Sequence, residues 1–144
     1  MEGTTGNSDL LWILYDARRF DLVERLELKE MNIRGRVRAP LAARLRFKPS
    51  GREFFFMVNH LYRGDENGRW QQAQMLHDWA AKQTLPIVAV GDYNCDWSVE
   101  RGDTDHDKGS DNFTAGNVFR WIRPATLVKT QDSHYNSVLD FVFC

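Results

Sequence analysis

Four polar side chains end or interrupt apolar runs of the sequence, and their types could support acid–base or phosphate chemistry. His60 ends one apolar run, Asp92 and Asn94 follow a second, and Asp140 lies inside a third. An ionised carboxylate in an apolar strand is costly unless it is paired, hydrogen-bonded or bound to a metal. Polar residues at strand ends are also a common way to build a site on a rigid scaffold. The sequence therefore predicts that these four residues share one site.

Each of the four residues also has a purely structural interpretation. His60 alone is more often a hydrogen-bonded structural histidine. The segment from Gly91 to Asn94 consists of residues that favour turns, and Asp140 alone could anchor a loop through backbone N–H groups. Because the residues occur together and at similar positions in their runs, we favour the functional interpretation for the set.

Hydrophobic periodicity predicts the elements that must position these side chains. The predicted strands cover residues 10–15, 21–28, 36–47, 53–61, 86–90 and 138–143, and the second is weakly patterned. A helix is predicted over residues 69–83 with Asn67 as its N-cap, and a short helical turn over residues 117–122. The polar stretch 98–117 is predicted to be a long loop. This order predicts a strand-rich α+β fold with helices packed outside the sheets.

Alternation with a period of two is strongest over residues 36–47, where apolar residues alternate with arginines. Pro40 lacks an N–H, so the predicted strand lies at a sheet edge or bends there. The arginines that share one parity are Arg34, Arg36, Arg38, Arg44 and Arg46. They could form a stripe facing phosphate, because guanidinium groups match phosphate oxygens, or a solvated outer face. We favour the solvated face for Arg44 and Arg46 and leave both interpretations open for Arg38.

Three alternating aspartates, Asp103, Asp105 and Asp107, imitate the start of a calcium-binding loop. An EF-hand needs glycine at the sixth position and glutamate at the twelfth, where this chain has Lys108 and Thr114. The sequence therefore excludes an EF-hand and predicts a flexible acidic loop near the rim of the site.

Composition limits the classes of function. The chain has 144 residues, of which 42% are hydrophobic, and a formal net charge of −1. These values predict one domain over residues 1–144 and exclude both an intrinsically disordered protein and a polycationic nucleic-acid binder. We predict neither a membrane span nor a signal peptide, and no compartment. Cys95 and Cys144 form no disulfide framework and no metal-binding motif.

The chain resembles the endonuclease/exonuclease/phosphatase superfamily, which has the deoxyribonuclease-I-like fold, over most of its length. The matching segments are His60-Leu61, Arg69 with Gln72-Ala73, Gly91-Asp92-Tyr93-Asn94, Leu139-Asp140-Phe141-Val142 and Arg38-Ala39-Pro40-Leu41. The Gly-Asp-Tyr-Asn segment after a buried strand is the most specific of these. The resemblance implies a two-sheet β-sandwich flanked by helices.

The resemblance implies a metal-dependent phosphoester hydrolase, a nuclease or a phosphatase. Asp92 would orient or deprotonate the attacking water and bind Mg²⁺ or Mn²⁺ together with Asn94. His60, Asn94 and Arg38 would contact the substrate phosphate, and Asp140 would buttress a second histidine. The implied substrates are nucleic acids, phosphoinositides or other phosphodiesters. A cation and neutral donors around the phosphate oxygens are suited to the charge that develops there.

Two parts of the family pattern have no counterpart in the chain. A metal-binding glutamate on an early strand is missing, and so is a histidine after the strand that carries Asp140. We therefore expect a partial domain, incomplete at both ends, with little or no activity. The alternative function is a catalytically inactive fragment or binding module of the same fold. We also expect chains to associate through unpaired strand edges.

Overall fold

Five β-strands form one mixed sheet whose spatial order follows the chain. A computed structural model of the chain describes residues 1–7, 9–35, 37–131 and 134–144. The strands are β1 (Phe20–Glu27), β2 (Leu41–Phe47), β3 (Glu53–His60), β4 (Ile87–Ser98) and β5 (Ser137–Phe143). Only β3 and β4 are paired in parallel among these named strands; the other neighbouring pairs are antiparallel.

Two helices lie on one face of the sheet. Helix α1 (Glu66–Ala80) connects β3 to β4, and helix α2 (Lys108–Thr114) lies between β4 and β5 in the chain. Short 3₁₀ turns cover Lys29–Met31, Ile33–Gly35 and Ala115–Asn117. The α+β prediction is confirmed, whereas the described residues form one named sheet and leave the predicted two-sheet sandwich unconfirmed. None of the helices in the described ranges is long and apolar enough to cross a membrane.

A hydrophobic core lies on each face of the sheet. On the helix-covered face, Met57, Ala89 and Tyr93 pack with buried residues of α1 and α2. On the opposite face, Leu11 and Ile13 of the N-terminal segment pack against β2. The strand predicted at residues 10–15 is reduced there to an isolated bridge between Glu2 and Trp12. Its predicted alternation survives, because Leu11 and Ile13 are buried while Trp12 and Leu14 are exposed.

The predicted first residue is wrong for two elements, strand β2 and helix α1. Strand β2 begins at Leu41 rather than at residue 36, because a 3₁₀ turn and Pro40 precede it. Arg36, a member of the predicted arginine face, lies outside the described residues. Helix α1 begins at Glu66 rather than at residue 69, since Asp65 takes the N-cap position predicted for Asn67 and accepts a hydrogen bond from Gly68 N.

The predicted long loop over residues 98–117 contains helix α2. Asp107 caps this helix by accepting a hydrogen bond from Gly109 N at 2.7 Å. Phe113 anchors the helix in the core by stacking on Phe119, with 4.0 Å between the ring centroids. The sequence analysis missed the helix because α2 offers too few apolar positions for a periodic signal.

The arginine face of β2 forms ion pairs with its neighbouring strands. The carboxylate of Glu53 contacts Arg44 Nη2 at 2.5 Å and Arg46 Nε at 3.0 Å. These partners agree with the solvated-face interpretation of Arg44 and Arg46 rather than with a phosphate-facing stripe.

A buried ion pair joins the two helices. Arg69 Nη2 of α1 lies 2.5 Å from Asp107 Oδ2, and both side chains are less than a tenth exposed. Asp107 also accepts a hydrogen bond from Trp70 Nε1 at 2.9 Å. The prediction of a flexible acidic loop does not describe Asp107, because this carboxylate is bound at the centre of the helix pair.

Replacing Asp107 by alanine should destabilise the protein by about 3–5 kcal/mol, because the positive charge of Arg69 would remain buried without a partner. Urea unfolding followed by circular dichroism measures this change. The matched control is Asp105→Ala, which removes an exposed ion pair to Arg101 and should cost less than about 1 kcal/mol. Equal effects of the two substitutions would contradict the importance of the buried pair.

Candidate functional site

Three of the four predicted site residues lie side by side on neighbouring strands. His60 is the register partner of Asp92 in the parallel pair β3–β4, and Asp92 is the register partner of Asp140 in the antiparallel pair β4–β5. Residues paired in this way point to the same face of a sheet. His60 Nε2 lies 3.7 Å from Asp92 Oδ2. The structure thus brings His60, Asp92 and Asp140 together on the face opposite the helices.

The Gly-Asp-Tyr-Asn segment lies inside β4 rather than in a turn after it. Gly91 has a φ of +131°, and a Cβ atom at this position would lie 2.0 Å from Asn59 O. No other residue could therefore occupy this position without moving β3. Tyr93 points to the helix-covered face, where Asn59 Nδ2 donates to its hydroxyl at 2.9 Å.

Asn94 is joined to the site through its backbone, and its side chain is buried. Asn94 N donates to Asp92 Oδ1 at 2.8 Å, and Asn94 Nδ2 donates to Leu61 O at 3.0 Å. The residue has a left-handed φ of +48°, which asparagine tolerates better than most residues do. Asn94 therefore orients the Asp92 carboxylate and holds the chain just after His60.

Arg38 lies near the site but is bound to the N-terminal segment. Its guanidinium forms an ion pair with the Asp9 carboxylate, and its Nε donates to Asp9 O at 2.7 Å. Burial lowers the pKa of Arg38, and the charge of Asp92 opposes this effect. Arg38 is thus within electrostatic reach of Asp92, but Asp9 already neutralises it.

Partial burial shifts the pKa values of His60 and Asp92 in opposite directions. The pKa of His60 is lowered, first by burial and then by the charge of Arg38, although Asp92 and Asp140 oppose the shift. The pKa of Asp92 is raised, first by burial, while the Asn94 N–H and His60 oppose this and Asp140 adds to it. At neutral pH, His60 is consequently uncharged and the Asp92 carboxylate is a stronger base than a solvated one.

The donor set is too small for a complete metal site within the described residues. Asp92 and Asp140 supply carboxylate oxygens, the donor type that Mg²⁺ prefers. However, no group of three or more histidine, cysteine, aspartate and glutamate side chains in the described ranges could hold a metal ion. Asp92 Oδ1 also accepts the Asn94 N–H, and Asn94 Nδ2 is directed to Leu61. The residues present therefore match Mg²⁺ in kind but not in number.

The sequence analysis did not identify Arg63 as a site residue. Arg63 follows His60 by three residues at the end of β3, and its charge acts on both His60 and Asp92. One feature of the sequence could have identified Arg63. It lies three residues after His60, the candidate site histidine that ends a strand.

Comparison with known proteins defines the class of fold. No protein-family model matches the chain, and no curated protein matches it. Solved structures do match, and one is an endonuclease/exonuclease/phosphatase family protein from Bacteroides thetaiotaomicron. That alignment has a TM-score of 0.66 and 18% identity, and covers 90% of this chain and 52% of the other.

Two further structures have the same fold. The mannosyl-6-phosphatase Bt3783 of Bacteroides thetaiotaomicron VPI-5482 aligns with a TM-score of 0.63 and 19% identity over 90% of this chain and 54% of its own. D. rerio TDP2, complexed with a single-strand DNA product, aligns with a TM-score of 0.58 and 15% identity over 88% of this chain and 53% of its own. The chain spans about half the length of these structures, and the resemblance to the superfamily is confirmed at the level of the fold.

As the pH rises, the Asp92→Asn variant should gain stability relative to the unmodified chain. A carboxyl group whose folded-state pKa is raised contributes stability that is present below its unfolded pKa, near 3.8, and is lost as the pH rises through its folded pKa. The stability difference between Asp92→Asn and the unmodified chain should therefore shift in favour of the variant above pH 3.8. Its size should stay below about 1 kcal/mol, because the side chain keeps partial solvent access.

Urea unfolding of both proteins between pH 4 and about pH 7 measures this difference. A difference that stays constant with pH, or that shifts in favour of the unmodified chain, would show that Asp92 has no raised pKa.

Proposed function

We propose that this chain carries the sheet edge at which a metal-dependent phosphoester hydrolase, either a nuclease or a phosphatase, binds the substrate phosphate. The observation that carries the proposal is the side-by-side arrangement of His60, Asp92 and Asp140 on three neighbouring strands. The fold shared with endonuclease/exonuclease/phosphatase structures supports the same reaction class.

In this proposal, Asp92 accepts a proton from the attacking water. The water oxygen forms a bond to phosphorus, and the bond from phosphorus to the leaving oxygen breaks. Asp92 suits this role by its position, because its Oδ2 atom lies 3.7 Å from Nε2 of His60, the side chain that would hold the phosphate. Uncharged His60 donates a hydrogen bond to a phosphate oxygen through the nitrogen that carries its proton.

The other predicted site residues have supporting roles in the proposal. Asp140 lies beside Asp92 and helps to keep its pKa raised, in addition to the histidine-buttressing role that the family resemblance implies. Asn94 orients Asp92 through its backbone N–H, which makes a direct contact between Asn94 and phosphate a secondary role. A direct contact between Arg38 and phosphate requires displacement of Asp9.

A divalent cation, Mg²⁺ or Mn²⁺, remains part of the proposal because negative charge exceeds positive charge at the site. The carboxylates of Asp92 and Asp140 carry two negative charges, and Asp9 neutralises Arg38. When bound, a cation would supply positive charge to the phosphoryl oxygens. Asp92 would be its main ligand from this chain, and the remaining ligands would come from outside the described donor set.

The alternative is a binding module that holds phosphate without hydrolysing it. The small donor set within the described residues favours this alternative. His60 would still offer a hydrogen-bond donor to phosphate, and the fold would still present it at a rigid strand end.

The substrate is proposed at the level of a phosphoester. One fold neighbour is named a mannosyl-6-phosphatase and another is complexed with a single-strand DNA product, which supports no narrower class of substrate for this chain. Nucleic acid, phosphoinositide and other phosphodiesters all remain candidate substrates.

The second sheet of the sandwich is also proposed rather than observed. The face that carries His60 and Asp92 also presents partly exposed apolar side chains, among them Phe56, Val58 and Val90. A second layer packed on this face would bury them, as sheets in a sandwich do. The domain described by residues 1–144 would then be one layer of a larger domain.

The chains are expected to associate through β1, because this outer strand exposes Leu22 and Val23. The irregular register between Leu22 and Glu24 weakens the edge as a template but does not remove it. Val23→Lys should therefore shift the population towards monomers, which light scattering during size-exclusion chromatography measures. The control is Val128→Lys, which adds the same charge at an exposed position outside the strands. A purely monomeric unmodified chain would contradict this expectation.

Hydrolysis of bis-(p-nitrophenyl) phosphate and plasmid DNA with Mg²⁺ or Mn²⁺ tests the main proposal. We expect slow turnover at most, because the donor set is small. Asp92→Asn should reduce any turnover by about 100-fold or more, since it removes the general base. The matched control is Asp96→Asn, which changes an exposed aspartate of the same strand.

The outcomes separate the two candidate functions. Turnover that depends on Asp92 supports the hydrolase, and phosphate binding without turnover supports the binding module. Turnover that Asp92→Asn leaves unchanged would mean that the site lies elsewhere.

A further inference from the structure

The backbone just after His60 is held in place by β4. We call residues 61–63 the edge segment. Leu61 N donates to Asp92 O at 3.0 Å, and Leu61 O accepts from Asn94 Nδ2 at 3.0 Å. Asn94 is itself buried. Both polar groups of the Leu61 backbone are therefore bound to the strand that carries the proposed base.

Helix α1 holds the rest of the edge segment. Tyr62 N donates to Gln72 Oε1 at 2.8 Å, and Arg69 Nη1 donates to Tyr62 O at 3.1 Å and to Arg63 O at 3.3 Å. Gln72 is completely buried, and Arg69 is 6% exposed. Buried side chains with fixed partners have little freedom to move, so the backbone of Arg63 is ordered before any ligand binds.

The backbone of Arg63 is held by hydrogen bonds, whereas its side chain has no bonded partner among the described residues. It is exposed, and its guanidinium has no ion pair or hydrogen bond with any residue that the structure describes. Arg38, by contrast, is paired with Asp9. Arg63 follows His60, the last residue of β3, by three residues, and its charge acts on His60 and on Asp92, so it is within electrostatic reach of the proposed site.

We propose that Arg63 binds a phosphoryl group of the substrate, presented by the edge segment beside His60 and Asp92. This inference rests on the proposed function, because it assigns a further residue to the same phosphate site. The guanidinium carries parallel N–H donors that match two oxygens of one phosphoryl group. Both a phosphomonoester and a phosphodiester offer two such oxygens.

The charge balance of the site explains why an unpaired arginine is needed. Asp92 and Asp140 would repel an anion, and Asp9 neutralises Arg38. Arg63 therefore supplies positive charge that the described site otherwise lacks. Because its backbone is already ordered, only the side chain loses freedom on binding, which limits the entropic cost.

Binding of inorganic phosphate to the full chain, followed by NMR at low ionic strength, tests the assignment. Arg63→Gln should raise the dissociation constant about 5- to 10-fold, because it removes one charge-assisted contact. Arg63→Lys keeps the charge without the fork and should raise it less. Titrations with phenyl phosphate and dimethyl phosphate distinguish a monoester site from a diester site.

The matched control is Arg52→Gln, which removes the same charge from an exposed arginine at the other end of β3. It should leave phosphate binding unchanged, which separates a local contact from an effect of net charge. If Arg63→Gln binds phosphate as tightly as the unmodified chain does, the assignment of Arg63 is wrong while the proposed site survives. If the unmodified chain itself shows no saturable binding, both the assignment and the proposed phosphate site are overturned.

Discussion

The parallel pairing of β3 with β4 is the constraint on which the arrangement of the site depends. The connection through α1 makes both strands run in the same direction, so the carboxyl end of β3 lies beside the middle of β4, where His60 meets Asp92. A slip of one residue would turn Asp92 towards the helices and Tyr93 away from them, because successive side chains alternate between faces. Gly91 opposes such a slip, since a Cβ atom at its present place would collide with Asn59 O.

A set of buried polar side chains fixes the backbone at the edge of the site, next to this strand pair. Asn94, Gln72 and Arg69 direct their amide and guanidinium groups at the backbone that follows His60. Burying such groups is costly unless they are bonded, and most of their polar atoms have partners here. Asp107 extends the same set to α2 by pairing with Arg69, so the two helices and the site edge share one polar network.

The electrostatics of the site show a conflict between stability and chemistry. Burial raises the pKa of Asp92 and lowers that of His60, so both shifts work against the charged forms of these side chains. Such shifts are typical of functional sites, where the cost is offset by packing elsewhere. In this chain, the two hydrophobic cores on either face of the sheet provide that packing.

The sequence alone was sufficient to predict the elements whose residue patterns are local. The alternation in β2, the apolar run of β3, the buried run at the start of β4 and the apolar run of β5 predicted strands that the structure contains. The order of His60, Asp92 and Asp140 within those strands predicted that these three residues share one site. The boundaries were less accurate, because Asp65 and Asn67 both suit an N-cap and only tertiary packing decides between them.

Other features were decided by tertiary structure, because they depend on contacts between distant parts of the chain. Arg38 was predicted to contact phosphate, and its guanidinium is paired with Asp9 in the folded chain. Arg63 carried no periodic signal, and the phosphate contact that we propose for it depends on the side chains that hold its backbone. Helix α2 is stabilised by one buried phenylalanine and one cap rather than by an apolar stripe. Sequence periodicity records which side of an element is buried, whereas the partner of an individual charge is set only when the chain folds.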